Sequence, residues 1–139
     1  MNTPVKPQRK ILFRAKQFAN TKDWVYGGYA QYNDEVGLII TCYERTRQKK
    51  YHIIPKTAGQ YVGLSDRNHK LIFEGDILGH TYEQNTATIE WNDFLAQFQA
   101  TWNNMPTTAA DIQHLVSLGY EVIGNIHDNP ELPTLVKKR

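Results

Sequence analysis

Several classes of protein are excluded by what this sequence lacks. Its 139 residues include a single cysteine, Cys42, so an internal disulfide and a cysteine zinc site are both ruled out. Its longest purely apolar runs, such as Leu38-Ile39-Ile40, are far shorter than the roughly 20 residues that cross a bilayer. The start of the chain lacks the charged and apolar regions of a secretory signal. We therefore expect a cytoplasmic protein that does not interact with membranes.

Motifs for catalysis and for cofactor binding are also missing. The chain has no glycine-rich phosphate loop and no nucleophile elbow. Its five histidines are scattered, and no two of them have the spacing of metal ligands. We predict no metal and no other cofactor. With 40% hydrophobic and 12% aromatic residues, the composition is that of a folded protein with one modest core.

Positive charge is almost absent from the second half of the sequence. From Leu71 to Val136 there is no lysine or arginine, whereas nine residues are acidic. Residues 1–70 carry 13 basic residues against 5 acidic ones, and three basic residues, Lys137 to Arg139, end the chain. Three interpretations remain open. The basic half binds a polyanion, or the two halves attract each other within one subunit or between subunits of a homo-oligomer, or folding mixes the charges.

The first half of the chain contains short segments that are typical of strands. Residues 10–14 and 23–26 are two of them, and Gly27-Gly28 closes the second. A hairpin is predicted next, because residues 36–43 are rich in β-branched residues and pair plausibly with residues 51–54. The link between these two strands is polar and basic.

The second half of the chain has a clearer pattern of strands and turns. Five short strands are predicted from about residue 60 on, and the clearest is residues 94–102, where aromatic residues and alanines alternate with mostly polar ones. One short helix, ending at Gly119, precedes the last strand. Five short strands with a bent second strand can close as a small barrel, which removes exposed edges. We therefore divide the chain into an N-terminal arm and β extension, residues 1–57, and a barrel domain, residues 58–139.

The segment from Gln60 to Ile77 resembles the central signature of the YopX-like proteins of phages and prophages. Leu12 to Ala15 and Glu121 to Leu132 agree with the same family, so the resemblance spans most of the chain. It implies a mainly β protein that contains an SH3-type barrel, and it implies no catalytic residues. One position departs from the family: His69 stands where glycine is frequent, in a turn that favours a left-handed backbone.

Two polar clusters are candidate sites for chemistry. Glu74-Gly75-Asp76 places two carboxylates two residues apart, which in a strand would aim both at one metal or substrate. The glycine favours a bend instead, in which Asp76 accepts hydrogen bonds from turn amides. His127 beside Asp128 could act as a general base, although a histidine in a loop is usually solvated. We favour structural roles in turns for the signature residues Asp66, Glu74, Gly75, Asp76, Gly124 and Asn125.

The basic link of the predicted hairpin is a candidate binding site. It combines cations that would hold phosphates with aromatic rings that would stack on bases. The residues concerned are Tyr43, Arg45, Arg47, Lys49, Lys50 and Tyr51. The alternative is an ordinary solvated loop, because four charges at a tip cost little.

The resemblance implies a phage or prophage protein, and the lack of catalytic motifs leads us to expect an accessory protein without enzymatic activity. We expect it to bind an unidentified host or phage macromolecule in the bacterial cytoplasm, and to form homo-oligomers. The alternative function is nucleic-acid binding through residues 45–50. A third, enzymatic hypothesis uses Glu74, Asp76 or His127 and requires these groups to converge in a concave pocket with perturbed pKa values.

Overall fold

Two antiparallel sheets form the framework of residues 8–134, the part of the chain that the computed structural model describes. Residues 1–7 of the predicted N-terminal arm and the basic end Lys137 to Arg139 lie outside this part. The elements, in chain order, are β1 (Phe13–Lys16), β2 (Trp24–Gln31), β3 (Gly37–Glu44), β4 (Arg47–Ile53), a 3-10 turn (Pro55–Thr57), β5 (Gly59–Ser65), β6 (Leu71–Phe73), β7 (Asp76–His80), β8 (Glu83–Asn92), β9 (Gln97–Trp102), β10 (Ala109–Ala110), α1 (Ile112–Ser117), β11 (Glu121–Asn125) and a second 3-10 turn (Leu132–Thr134).

The first sheet has the strand order β4-β3-β2-β1-β5-β6. Its first four strands form a meander, since each pairs with the next along the chain. Side chains alternate between the two faces of a strand, and one face buries a small core of four residues. These are Ala15, Val25, Ile39 and Ile53.

The second sheet has the order β10-β9-β8-β7-β11. It contributes most of a larger core, onto which α1 packs Ile112 and Leu115. The mainly β fold with one short helix is therefore confirmed. Among residues 8–134 no helix has the length and apolar character needed to cross a membrane.

The expected closed barrel of the SH3 type is not formed by the described residues, which make two open sheets. β10 and β11 are the edges of the second sheet, while β4 and β6 are the edges of the first. The reason is that β5 pairs with β1, with Phe13 opposite Gln60, so β5 and β6 join the N-terminal strands. The sheets therefore divide between Phe73 and Asp76, whereas the domain boundary of the sequence interpretation follows residue 57.

The predicted hairpin is present, but its strands are longer than expected. Cross-strand pairing continues through Thr41 opposite Lys49 and Cys42 opposite Gln48. The turn is reduced to Arg45-Thr46, so Lys49 and Lys50 lie in β4 and not in a loop. Charged side chains are compatible with this pairing because both faces of the hairpin end are exposed.

Two further strand limits differ from the prediction. β9 begins at Gln97, because Ala96 has a left-handed backbone (φ 53°) that ends the extended pattern. Phe94 consequently lies in the β8–β9 turn with 95% of its surface exposed. β2 continues through Gly27-Gly28, where the sequence predicted its end.

The continuation of β2 depends on the missing side chain of Gly27. A Cβ atom at this position would lie 2.2 Å from the carbonyl oxygen of Ile40 in β3, so the two backbones approach each other too closely for any side chain. At the neighbouring Gly28 a Cβ atom would be 3.9 Å from the same oxygen, which is an ordinary contact.

We therefore expect the two glycines to respond differently to alanine. Gly27→Ala forces β2 and β3 apart and should lower the free energy of unfolding by about 1–3 kcal/mol. Gly28→Ala is the matched control and should be neutral or slightly stabilising, because it only restricts the unfolded chain. Urea titrations followed by circular dichroism measure both, and an equal loss in the two variants would contradict the close approach.

Candidate functional site

An ion pair between Arg14 and Asp76 joins the two sheets. Arg14 lies on β1 and Asp76 is the first residue of β7, and the guanidinium Nη2 donates to the carboxylate Oδ1 over 2.7 Å. Both side chains are almost fully buried. The rings of Trp24 and Phe73 flank the guanidinium carbon at 4.5 and 4.8 Å, so the cation is held between two aromatic faces.

Not every other polar atom of these two side chains has a hydrogen-bond partner. Asp76 Oδ2 accepts a hydrogen bond from the amide of Phe73 over 2.8 Å. Burial raises the pKa of Asp76, while the Arg14 charge and the Phe73 amide act in the opposite direction. Arg14 also donates to the carbonyl oxygen of Glu74 over 3.3 Å, but its Nε atom has no hydrogen-bond partner among the described residues.

The Glu74-Gly75-Asp76 segment is a bend that connects β6 to β7. Gly75 has a positive φ of 87°, and its amide donates to Ile89 while its carbonyl oxygen accepts from Ile126. Glu74 turns the other way and accepts a hydrogen bond from the amide of Gln60 over 3.0 Å. The two carboxylates therefore diverge and do not form a common pair.

Asp66 has a similar turn geometry at the end of β5. Its carboxylate accepts hydrogen bonds from the amides of Asn68, Lys70 and Val122 at 2.9–3.0 Å. Burial acts to raise its pKa, but these three donors outweigh burial and the pKa is lowered. His69 in the same turn has a φ of 63°, so it keeps the left-handed backbone that glycine favours.

The polar cluster after β11 is organised by Asn125. Its Oδ1 atom accepts from the amides of His127 and Asp128 at 3.0 and 2.9 Å, and its Nδ2 atom donates to Asp128. Gly124 precedes it, and a Cβ atom there would come within 2.5 Å of the Asn129 side chain. Asp128 also accepts from Trp24 Nε1 over 2.8 Å and pairs with Lys16.

Ion pairs link the basic first half of the chain to the acidic second half. Arg14 pairs with Asp76, Lys16 with Asp128, and Arg67 with Glu121. The two halves thus attract each other within one subunit, which was one of the three interpretations of the charge pattern. Other charges remain exposed, and two groups of them are clustered on separate surfaces.

The first surface is the end of the β3–β4 hairpin, residues 42–50, which we call the basic finger. β2 pairs with β3 only as far as Ile40, which lies opposite Lys50, so beyond the base of the finger no third strand lies beside it. Its four cations are Arg45, Arg47, Lys49 and Lys50, and all are exposed. Arg47 lies 3.3 Å from Glu44, and the Lys49 ammonium lies 5.0 Å from the centre of the Tyr51 ring. Tyr43 is 60% exposed.

The second surface is a cleft of about 420 Å³ at the seam between the sheets, which we call the acidic cleft. Three carboxylates line it, Glu74, Glu90 and Asp93, against one cation, Lys56. The indole of Trp91 forms part of the wall and is 45% exposed. Phe98 packs against Trp91 edge to face at 4.9 Å and holds the ring in place.

His127 also lines the acidic cleft and is partly buried there. Burial, followed by the charges of Arg14 and Lys16, lowers its pKa below the ordinary value of 6.5, although Asp128 acts in the opposite direction. The imidazole is therefore neutral at physiological pH. Glu74 and His127 both line the cleft, but Asp76 does not, because it is buried in its ion pair with Arg14. Within residues 8–134, no three His, Cys, Asp or Glu side chains are arranged as metal ligands.

Several residues of these surfaces were not identified from the sequence. An arginine inside the apolar segment Leu12-Phe13-Arg14-Ala15 was a usable signal, because a buried cation needs a partner. Glu90, Trp91 and Asp93 carried no such signal, since only the pairing of β8 with β7 and the hydrogen bond from the Gly75 amide to Ile89 bring this part of the chain beside Glu74 and His127. Cys42, the single cysteine, is exposed on the basic finger.

The carboxylate of Asp128 makes the free energy of unfolding depend on pH in the acid range. Burial acts to raise its pKa, but hydrogen bonds from Lys16, Asn125 and Trp24 outweigh burial and lower the value from 3.8 to about 2. A carboxylate with a lowered pKa stabilises the folded state fully above its unfolded value of 3.8, and this stabilisation is lost as the pH falls through about 2.

We therefore expect Asp128→Asn to lower the free energy of unfolding at neutral pH by up to about 1 kcal/mol, because the group is partly exposed. The difference from the wild type should shrink below about pH 4 and vanish near pH 2. Glu131→Gln, which alters an exposed carboxylate on the same tail, is the control. A cost of Asp128→Asn that does not change with pH would contradict the assignment. Denaturant titrations at several pH values measure it.

Comparison with known proteins agrees with this architecture. The family model described as "YopX protein" matches residues 12–133. Protein EF1440 from Enterococcus faecalis has a similar crystal structure, with a TM-score of 0.54 and 23% sequence identity over 91% of this chain and 99% of that chain. At this identity the likeness concerns the fold alone. No curated protein matches the sequence. The chain therefore belongs to the YopX family.

Proposed function

We propose that this protein is a non-enzymatic binding module that contacts nucleic acid through the basic finger. The observation that carries the proposal is that Arg45, Arg47, Lys49 and Lys50 remain exposed on a two-stranded projection after the other ion pairs have formed. The proposal that the gene belongs to a phage or prophage, and that the protein acts in the bacterial cytoplasm, rests on the family resemblance alone.

The shape of the finger suits a polyanion. A two-stranded antiparallel ribbon is narrow enough to enter the major groove of a duplex, and it also presents both faces to a single strand. Its cations would neutralise phosphates and release counterions, which gives affinity without reading sequence. Tyr43 at the side of the finger offers a ring on which a base would stack.

The position of the finger supports the same function. β4 is an edge strand, and an exposed edge is a site where further strands could add. Lysines and arginines along the edge oppose such pairing with an uncharged strand, because their charges would be brought together and desolvated. A basic edge is better suited to a flexible anionic partner than to another β-sheet.

The enzymatic hypothesis receives less support from the geometry. Glu74 and His127 share the acidic cleft, but Asp76 is committed to Arg14 and Glu74 is bonded to the amide of Gln60. A nucleophile with an adjacent base would be needed for covalent catalysis, and the one hydroxyl in the lining of the cleft, that of Thr88, donates its hydrogen bond to Asn103 Oδ1 over 2.8 Å. A binding function therefore accounts for more of the observed surface.

Fluorescence anisotropy with labelled single-stranded and double-stranded oligonucleotides tests the proposal. If each of the four cations can neutralise one phosphate and most of them do, a plot of the logarithm of the association constant against the logarithm of the salt concentration should have a slope of about −3. Replacing Arg45, Arg47, Lys49 and Lys50 by glutamine should abolish most of the binding and flatten the slope.

A matched control separates the finger from charge in general. Glutamine at four other exposed basic positions, Arg9, Lys10, Lys22 and Lys70, removes the same number of charges. This control should retain the affinity and the salt slope of the wild type within about threefold. Absence of binding by the wild type at low salt, or equal losses in the two variants, would overturn the proposal.

A further inference from the structure

The charges that remain after the internal ion pairs have formed are opposite in sign on the two surfaces. The basic finger carries four cations and one carboxylate, Glu44, whereas the acidic cleft carries three carboxylates beside Lys56. His127 in the cleft adds no charge when neutral. The two surfaces are therefore electrostatically complementary, and opposite patches on one molecule steer two copies of it towards each other.

The lining of the acidic cleft suits a basic side chain. Asp93, in the β8–β9 turn, and Glu90, on β8, are exposed carboxylates on either side of Trp91 in the sequence. Glu90 Oε2 already accepts a hydrogen bond from Thr101 Oγ1 over 2.9 Å, and the Glu90 side chain and the Trp91 ring point to opposite faces of β8. A guanidinium or ammonium that lies on an indole face gains a cation–π interaction, and adjacent carboxylates accept its hydrogen bonds. The volume of about 420 Å³ is within the range of ordinary ligand pockets, so it has room for more than one side chain.

The finger of one chain cannot fill the cleft of the same chain. Lys56, on the wall of the cleft, follows β4 after only two intervening residues, Ile54 and Pro55. β4 has seven residues, and at about 3.3 Å per residue it carries the finger turn roughly 23 Å away from this wall. The strand is paired with β3 along its length, so it does not fold back. A cleft that receives a finger must therefore receive that of another copy.

We propose that the protein self-associates by inserting the basic finger of one copy into the acidic cleft of a second copy. Arg45 and Lys50 then pair with Asp93 and Glu90, and a cation of the finger lies on Trp91. Phe94, exposed beside Asp93, contacts the aliphatic stems of the finger side chains. The arrangement is independent of nucleic-acid binding, although a polyanion bound to the finger would compete with it.

The symmetry of the contact determines the size of the assembly. Two copies that exchange fingers reciprocally form a closed dimer with two identical contacts. If instead each copy inserts its finger into the cleft of the next copy, the contacts are head to tail and form a closed ring or an open filament. In both cases the association depends on charge, so it should weaken strongly as salt is added.

Sedimentation velocity with nuclease-treated, nucleic-acid-free protein tests the proposal. At ionic strength near 0.01 M, where screening extends over about 30 Å, the wild type should sediment above the 16.1 kDa monomer. Near 1 M, where the screening length is about 3 Å, it should be monomeric. Two variants reverse the charge of one surface each: Arg45→Glu with Lys50→Glu in the finger, and Glu90→Lys with Asp93→Lys in the cleft.

Each reversed variant should be monomeric by itself at low salt, because its finger and cleft then have the same sign. An equimolar mixture of the two should associate again, since each finger meets a cleft of opposite charge. Lys22→Glu with Asp34→Lys, two exposed positions outside both surfaces, is the control and should associate like the wild type. Circular dichroism verifies that every variant is folded.

Three results would overturn the proposal. One is a wild type that remains monomeric at low salt and high concentration. Another is self-association that survives both charge reversals, which would place the contact elsewhere. The third is a mixture of the two folded variants that stays monomeric. Loss of nucleic-acid binding in the same variants affects only the proposed function, because no nucleic acid is present in this experiment.

Discussion

The buried pair of Arg14 and Asp76 is the interaction on which the arrangement of the two sheets depends. Removing two charges from water costs several kcal/mol for each ion, and this cost is offset only where geometry and hydrogen bonds are good. Here the carboxylate has the guanidinium and the Phe73 amide as donors, and the guanidinium has two aromatic faces. Neither ion is stable in this environment without the other, so β1 and β7 must occupy one relative position.

The two surfaces of the molecule follow from this constraint. Asp76 can reach Arg14 because Gly75 turns the chain sharply after β6, and the same turn puts Glu74 and, through its hydrogen bond to Gly75, Ile126 in the lining of the acidic cleft. At the far edge of the first sheet from β5 and β6, the ends of β3 and β4 form the basic finger. The ion pairs of Lys16 and Arg67 neutralise two of the basic residues of the first half, whereas the charges of the finger and the cleft remain exposed.

The sequence predicted local structure better than it predicted the contacts between distant segments. The hairpin, most strands, the short helix and the bend at Gly75 all follow from alternation, β-branched residues and glycine. The pairing of β5 with β1 does not, because no local pattern indicates which edge a short strand joins, and this pairing is what leaves the sheets open. The basic finger was visible as a run of charge. The acidic cleft was not, because Glu74, Trp91 and His127 are far apart in the sequence and only the folded sheets bring them together.

A double-mutant cycle on the seam tests the central claim most directly. Arg14→Met and Asp76→Leu are each expected to lower the free energy of unfolding by about 3–5 kcal/mol, because each leaves one buried charge without its partner. The double variant, in which neither charge remains, should lose much less than the sum of the two, with a coupling energy above about 1 kcal/mol. Additive losses, within about 0.5 kcal/mol, would show that the two residues act independently and that the sheets are not held by this pair.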